Sequence, residues 1–238
     1  EVCSPASAGF DLGFERAGME CRWQVEIDHY CRQVLAKHWP DVRRHDDVRT
    51  FPPGDPDQWQ VDVICGGFPC QDISDAGTKR GLEGERSGLW FEFARIIRVL
   101  MPTYVVVENS AALLYRGLGT VLSDLSALGF DAAWEVISAC AFGAPHVRRR
   151  LFIVAYANGV DGRPRVRNPL TQPDSSLQAI DGSPSARASW QARLANPSEL
   201  YRGADGVPFG PQRNRAIGNA VVPQVAEWIG RRIVEAIG

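Results

Sequence analysis

Three short stretches hold the residue types that could carry chemistry. In "GGFPCQDIS" an apolar run ends in a Gly-Gly-Phe-Pro turn that presents Cys70. In "VVVENS" Glu108 ends a run so apolar that its carboxylate must either reach a cleft or carry a raised pKa. In "HVRRRLFIVA" strand alternation puts Arg148 and Arg150 on one face and Arg149 on the other. A lone cysteine after proline is most often structural. A thiol and a carboxylic acid on neighbouring strand ends still make a usable nucleophile and acid, and guanidiniums add fixed positive charge. No His falls in a motif that could pair with Cys70, which disfavours a cysteine hydrolase.

Strand ends are where an open α/β sheet holds its ligands, so the elements around these stretches matter. Residues 10–150 alternate short apolar runs with helical periodicity. "CRWQVEID" reads as a strand, and "HYCRQVLAKHW" as a helix stopped by Pro40. "VDVICGGF" and "TYVVVEN" read as buried strands, with the helix "SGLWFEFARIIRVLM" between them. "LGTVLSDLSALG" is a helix closed by Gly129, and "AAWEVISA" with "RLFIVAYA" form a strand pair. The expected fold is α/β, a doubly wound and mostly parallel sheet. Residues 1–156 would form the main domain and 157–210 a loop-rich region dominated by Pro, Gly, Ser, Asn and Arg. Residues 211–238 would carry a helix, "PQVAEWIGRRIVEAI", that docks back on the first domain.

The net charge of -2 hides an asymmetry. Residues 1–142 carry 13 Lys/Arg against 21 Asp/Glu, whereas residues 143–215 carry 11 Arg, no Lys and 5 acids. An Arg-only basic segment suits phosphate or base contact through the planar guanidinium. The 6 cysteines show no CxxC pair and no His at zinc spacing, which points to reduced thiols and to no metal site. No apolar run approaches the ~20 residues of a membrane span. A cytoplasmic protein with no membrane contact is expected.

In order and spacing, these stretches resemble the DNA (cytosine-5)-methyltransferases of the bacterial and phage restriction-modification type, over nearly the whole chain. "GGFPCQDIS" resembles the Pro-Cys-Gln nucleophile loop, "VVVENS" the Glu-Asn-Val strand, and "APHVRRRLFIVA" the Gln-x-Arg-x-Arg strand. "AIGNAVVPQVAEWIGRRI" resembles the closing Gly-Asn helix. The resemblance implies that Cys70 adds to C6 of a flipped-out cytosine while Glu108 holds and protonates N3. Arg148 and Arg150 would grip the ring oxygen and order the loop, and the methyl group of S-adenosyl-L-methionine would pass to C5.

On the same basis Glu26 would bind the ribose hydroxyls and Ile27 cover the adenine, with Asp47 facing the adenine amino group. Gly9, Phe68, Pro69, Leu89 and Asn219 would complete the cofactor pocket. Gln71 and Ser74, on the nucleophile loop, would touch DNA, as would Arg163, Arg165 and Arg167. The implied partners are double-stranded DNA and a cognate restriction endonuclease, with a monomeric protein.

The chain departs from the family in three respects, the first of them at two single residues. His146 stands for Gln, and Ser110 for Val. Only about fifty residues separate "RLFIVAYA" from "RAIGNAVVP"; "SELYRGADGVPFG", with Arg202, Gly206 and Pro208, takes the place of the Arg-x-x-Thr-x-x-Glu motif, as in short members. Before "FDLGFERAG", "CSPASAG" replaces a run like Leu-Phe-Ser-Gly-Ile-Gly-Gly, so a non-catalytic DNA-binding remnant is the alternative function. One permitted coding of "EVCSPASAG", read two nucleotides later, spells Gly-Leu-Phe-Ser-Gly-Ile-Gly-Gly. The first nine residues are therefore expected to be a frame-shifted reading of an intact cofactor turn. The chain as written should bind S-adenosylmethionine poorly in calorimetry, and restoring the glycines should recover binding. Codons that do not spell the glycine turn in the shifted frame would end the idea.

Overall fold

A computed structural model of the chain describes residues 7–68, 88–143, 147–159, 165–170 and 220–237. Helix α1 (Ser7–Arg16) precedes strand β1 (Trp23–Val25), helix α2 (His29–His38) and strand β2 (Arg43–His45). Strand β3 (Val63–Gly67), helix α3 (Gly88–Leu100) and strand β4 (Tyr104–Ser110) follow. Next come α4 (Leu113–Arg116), α5 (Leu118–Ala127), β5 (Phe130–Ser138) and β6 (Arg149–Ala157), and α6 (Pro223–Ile237) ends the chain.

Local sequence explains most of these boundaries. Asp28 caps α2 by accepting a hydrogen bond from Cys31 N at 3.0 Å. Helix α3 buries Trp90, Phe93, Ala94, Ile96, Ile97 and Leu100 along one side and stops before Pro102. Strand β2, the element that pattern reading misses, is Arg-Arg-His. It lacks apolar alternation because its order comes from polar contacts. Arg44 donates to Gln24 Oε1 at 3.0 Å and to the Leu35 and Trp39 carbonyls.

β1 and β2 pair in parallel, with Val25 opposite His45. The larger sheet runs β3-β4-β6-β5. β3 and β4 are parallel, whereas β6 runs antiparallel to both neighbours. The α/β architecture is the expected one, and its sheet is mixed. The predicted pair β5–β6 is in register from Phe130↔Ala157 to Ser138↔Arg149.

Alternation along β4 and β6 divides the core into two layers. Val105, Val107, Leu151 and Ile153 pack with α3 and α5. Tyr104, Val106, Phe152 and Val154 pack with α1 and α6. The predicted return of the last helix is therefore a packing against α1. It is a close one: a Cβ on Gly13 would lie 2.5 Å from both Ala226 Cβ and Pro223 O, and one on Gly230 2.9 Å from Ala17 Cβ. No helix among the described residues is long and apolar enough to cross a membrane. Of the expected recognition region only 157–159 and 165–170 are described.

Backbone lies against Gly13, so a side chain there cannot be absorbed by a rotamer change. Gly13→Val should lower stability by about 1–3 kcal/mol, the usual cost of overpacking, in urea unfolding. A variant as stable as its parent would mean that the two helices do not meet at this point.

Candidate active site

The parallel register of β3 and β4 sets Gly67 beside Glu108. Glu108 continues the series Tyr104, Val106 and so projects on the α1–α6 face. Gly67 continues the β3 series Val63, Cys65 on that face, where a Cβ would stand 3.2 Å from Glu108 Oε2 and 2.8 Å from the Glu108 carbonyl. The missing side chain makes room for the carboxylate. Asn109 then ties the turn after β3 to β4: its Nδ2 donates to Phe68 O at 3.1 Å, both groups buried. Phe68 itself packs against Trp90, ring centroids 5.6 Å apart. Cys70 follows two residues later, outside the described residues, as do Pro69, Gln71 and Ser74.

β6 enters the same edge from the opposite direction, with Arg150 opposite Ser110 and Phe152 opposite Glu108. Arg150 shares the parity of Phe152, so it too faces the α1–α6 layer, and its Nε meets Glu108 Oε1 at 2.9 Å. Arg148, just before the strand, is half-buried and acts on Glu108 through its charge. Arg149 is exposed. The predicted division of the three arginines between faces is the observed one.

Glu108 is only 7% exposed. Burial pushes its carboxyl up to about 7, against the pull of Arg150 and Arg148 in the other direction. Conversely, burial and the neighbouring Arg150 charge push the Arg148 guanidinium down. The site therefore holds a carboxyl group poised to carry a proton near neutral pH, fixed by a guanidinium.

A second buried acid ends β1. Glu26 is 2% exposed; its backbone N–H donates to His45 O at 3.1 Å, and its Oε1 accepts from Asp28 N at 2.8 Å. Its Oε2 is buried with no hydrogen-bond partner among the described residues. Burial raises this carboxyl to about 7. The next residue, Ile27, is 55% exposed, unusual for so large an apolar group. Asp47 lies two residues past β2 and accepts from Arg49 N and Nε on one oxygen, which holds its pKa down. Glu26 and Asp47 thus flank the ends of two paired parallel strands. Leu89 opens α3 and packs partly against the core.

Gly9 lies within α1, where a Cβ would fall 2.1 Å from Val221 O. Its neighbour Phe10 meets Phe152 edge-on at 6.4 Å. The start of α1 and the segment leading into α6 therefore converge over the Glu108 face. Asn219, just before that segment, and Arg163 are outside the described residues.

Two predicted DNA contacts are placed elsewhere. Arg165 bridges Asn158, beyond the far end of β6, and the Arg167 carbonyl accepts from Tyr104 OH at 3.4 Å. From Arg150 to Ala157 is a strand of roughly 23 Å at about 3.3 Å per residue. The structure brings Glu108, Arg148 and Arg150 together and leaves Arg165 and Arg167 at the opposite edge. Gly67 and Asn109 are the site residues that motif reading passes over. Their signal was their position, at the very ends of adjacent strands.

Comparison with known proteins fits this geometry. The family profile for C-5 cytosine-specific DNA methylase matches residues 6–193. The chain belongs to that family. It is 31% identical over 217 residues to the type II methyltransferase M.NgoBV of Neisseria gonorrhoeae, covering 82% of this chain and 50% of that protein. To M.NgoFVII of the same organism it is 35% identical over 150 residues, covering 61% and 40%. The fold matches that of the Entamoeba histolytica methyltransferase EhMeth, with a TM-score of 0.66, 11% identity, and 98% and 96% of the two chains covered. The chain spans about half the length of the curated relatives it matches. The Glu-Asn strand and the Arg-rich strand of this family member are thus the β4 and β6 that bring Glu108 and Arg150 together.

Both buried acids have pKa values raised from 4.5 to about 7, so folding takes up protons between those pH values. Stability should fall as pH rises through that window, because the native state binds more protons than the unfolded chain. Glu26→Gln and Glu108→Gln should each flatten the fall between pH 5 and 8, by on the order of 2–3 kcal/mol. Urea unfolding at the two pH values reads it; an unchanged slope in both variants would contradict the burial argument.

Proposed function

We propose that the chain is an S-adenosyl-L-methionine-dependent DNA (cytosine-5)-methyltransferase with Cys70 as nucleophile. The observation that carries the reading is the buried Glu108, held by Arg150 beside the glycine that begins the "GFPC" turn. Cytosine C5 is a poor nucleophile until a group adds at C6. A thiolate suits that reversible addition because it attacks well and leaves well. A protonated Glu108 donates to N3 as Cys70 adds, and the N3 site takes up the electron density displaced from C6. Arg150 and Arg148 hold fixed positive charge at the ring oxygen. When C5 has gained its methyl group and lost its proton, Cys70 leaves and the ring recovers its aromaticity. The reacting carbon cannot be reached inside a duplex, so the base is taken out of the stack.

The residues at the end of β1 fit the cofactor. Glu26 offers a buried oxygen without a partner, which a ribose hydroxyl would satisfy, and Ile27 offers an uncovered apolar side chain for the adenine face. Asp47 would take the adenine amino group. Phe68, Pro69 and Leu89 would line the methionine end, with Gly9 and Asn219 closing the pocket. When bound, S-adenosylmethionine supplies the methyl group. Gln71 and Ser74 would contact DNA from the nucleophile loop, and Arg163 from the recognition region. Arg165 and Arg167 have no role at the flipped base in this reading; a distant phosphate is the contact open to them. Two relatives are type II methyltransferases, which is the ground for proposing a cognate restriction endonuclease.

The second reading, a DNA-binding remnant that holds no cofactor, is favoured by one observation: Pro5 and the alanines that stand where the glycine turn is expected. Duplex DNA containing 5-fluorocytosine separates the two. With S-adenosylmethionine present, the chain with its glycine turn restored should be trapped covalently, and its Cys70→Ala variant should bind the duplex without being trapped. Trapping that survives in the Ala variant removes Cys70 from the mechanism. No trapping in the parent leaves the remnant.

A further inference from the structure

We propose that Phe152, backed by Phe10, is a positioning residue for the acid Glu108: the two rings wall its carboxyl off from water on the inner side and so decide the pH range in which it can give a proton. Its consequence for the reaction rests on the methyltransferase reading, whereas the wall itself is a feature of the sheet.

The strand register gives Glu108 its neighbours on the α1–α6 face. Gly67 flanks it on β3 and brings no side chain. Phe152 flanks it on β6, directly opposite and on the same face, which sets the two Cβ atoms roughly 5 Å apart. Val106, two residues back along β4, and its partner Val154 continue the apolar surface inward, both completely buried. Arg150 stands on the other diagonal, toward the end of β4, where it meets Glu108 Oε1 at 2.9 Å. The carboxyl thus has a cation on its outer side and an unbroken apolar surface on its inner one. From α1, Phe10 meets the Phe152 ring edge-on, with centroids 6.4 Å apart and planes at 83°. Both rings are buried.

Charge alone would leave this carboxyl ionised, because Arg150 and Arg148 both favour the anion. Among the described residues, the other ionisable groups of the layer are bonded elsewhere or set apart. β5 brings Glu135 and Asp131 to this face, opposite Phe152 and Tyr156 and one strand further away. From β3 comes the Cys65 thiol, two residues before Gly67. Tyr104, four residues back on β4, turns its hydroxyl to the Arg167 carbonyl. On α1, Asp11 accepts from Gln24 Nε2 at 2.7 Å and from the Cys21 thiol. On α6, Arg232 lies over the Trp228 ring and Glu227 pairs with Arg16 and Arg231. What opposes the guanidiniums is the loss of water around the carboxyl. Phe152 is the side chain whose place in the register puts it where that water would stand.

The carboxyl 13C resonance of Glu108, assigned by its loss in Glu108→Gln, reads the proton in a pH titration. In the parent its midpoint should lie at about 7. Phe152→Thr, which keeps a strand-forming side chain but admits water, should lower the midpoint by about one unit or more. Phe152→Leu should titrate like the parent. Should the Thr variant fail to fold, Phe152→Val carries the same expectation, and Phe10→Ala, on a different element, should shift the midpoint the same way by less. Trapping on the 5-fluorocytosine duplex, in the chain with its glycine turn restored, gives the consequence for the reaction. The rate deficit of the Thr variant against its parent should grow about tenfold between pH 5 and pH 8, since one unit is a factor of ten in protonated acid. A merely structural fault would lower the rate equally at both. Parent-like midpoints in the folded Phe152 and Phe10 variants overturn the wall. A lowered midpoint in a chain that is never trapped supports the wall and removes the methyltransferase reading instead.

Discussion

Glu108 is a carboxyl group at the end of one of the most apolar strands in the chain, and the surrounding architecture follows from keeping it there. Burying such a group alone is costly, and the ordinary outcome is a neutral, protonated acid. Here the burial is moderated by the guanidinium of Arg150 at 2.9 Å, brought in by a strand running the other way. A wholly parallel sheet could not place Arg150 so easily, since the residue enters at the amino end of β6 while Glu108 sits near the carboxyl end of β4. The antiparallel insertion of β6 is thus the device that lets an acid and its counter-cation share one edge. Burial outweighs the two guanidiniums and leaves the carboxyl at about 7, able to exist in both forms near neutral pH.

The same edge depends on what is absent. Gly67 could carry no side chain without meeting the Glu108 carboxylate and the neighbouring strand's carbonyl. Asn109 spends its side-chain amide on the Phe68 carbonyl, so the turn that leads to Cys70 leaves β3 from a fixed point. Acid, guanidinium and the turn after β3 are in this way referred to a single backbone register, Gly67↔Glu108. A one-residue slip would send Glu108 into the α3–α5 layer among Trp90 and Phe93. The apolar alternation of β4, with Val105 and Val107 on one side and Tyr104 and Val106 on the other, fixes that register more firmly than any polar contact could.

How much of this was legible in the sequence follows from which signals are local. The buried strands and the amphipathic α3 and α6 announce themselves by periodicity, and the facing of Arg148 and Arg150 against Arg149 follows from strand geometry alone. β2 did not show, because three polar residues carry no pattern and its order comes from Gln24 on β1 and the carbonyls of Leu35 and Trp39 at the end of α2. The reversal of β6 was legible only as a strand pair, since direction relative to β4 is a property of the whole sheet. Gly9 read as a cofactor contact, and the structure shows a second demand on it. Backbone of the segment entering α6 lies where its side chain would be, a constraint no local window contains.

That last contact explains why the final helix belongs with the first. α1 and α6 are separated by almost the whole chain, yet they meet through Gly13, Ala226 and Gly230 closely enough to exclude a side chain. Phe10 and Val221 lie in the same apolar layer as Phe152, the residue opposite Glu108. Val221 is therefore carried to the Glu108 face by helix packing and not by chain connectivity. Arg165 and Arg167 lie by the far edge, where Arg165 bridges Asn158 and the Arg167 carbonyl accepts from Tyr104 OH. The register of Gly67, Glu108 and Arg150 is held by the sheet.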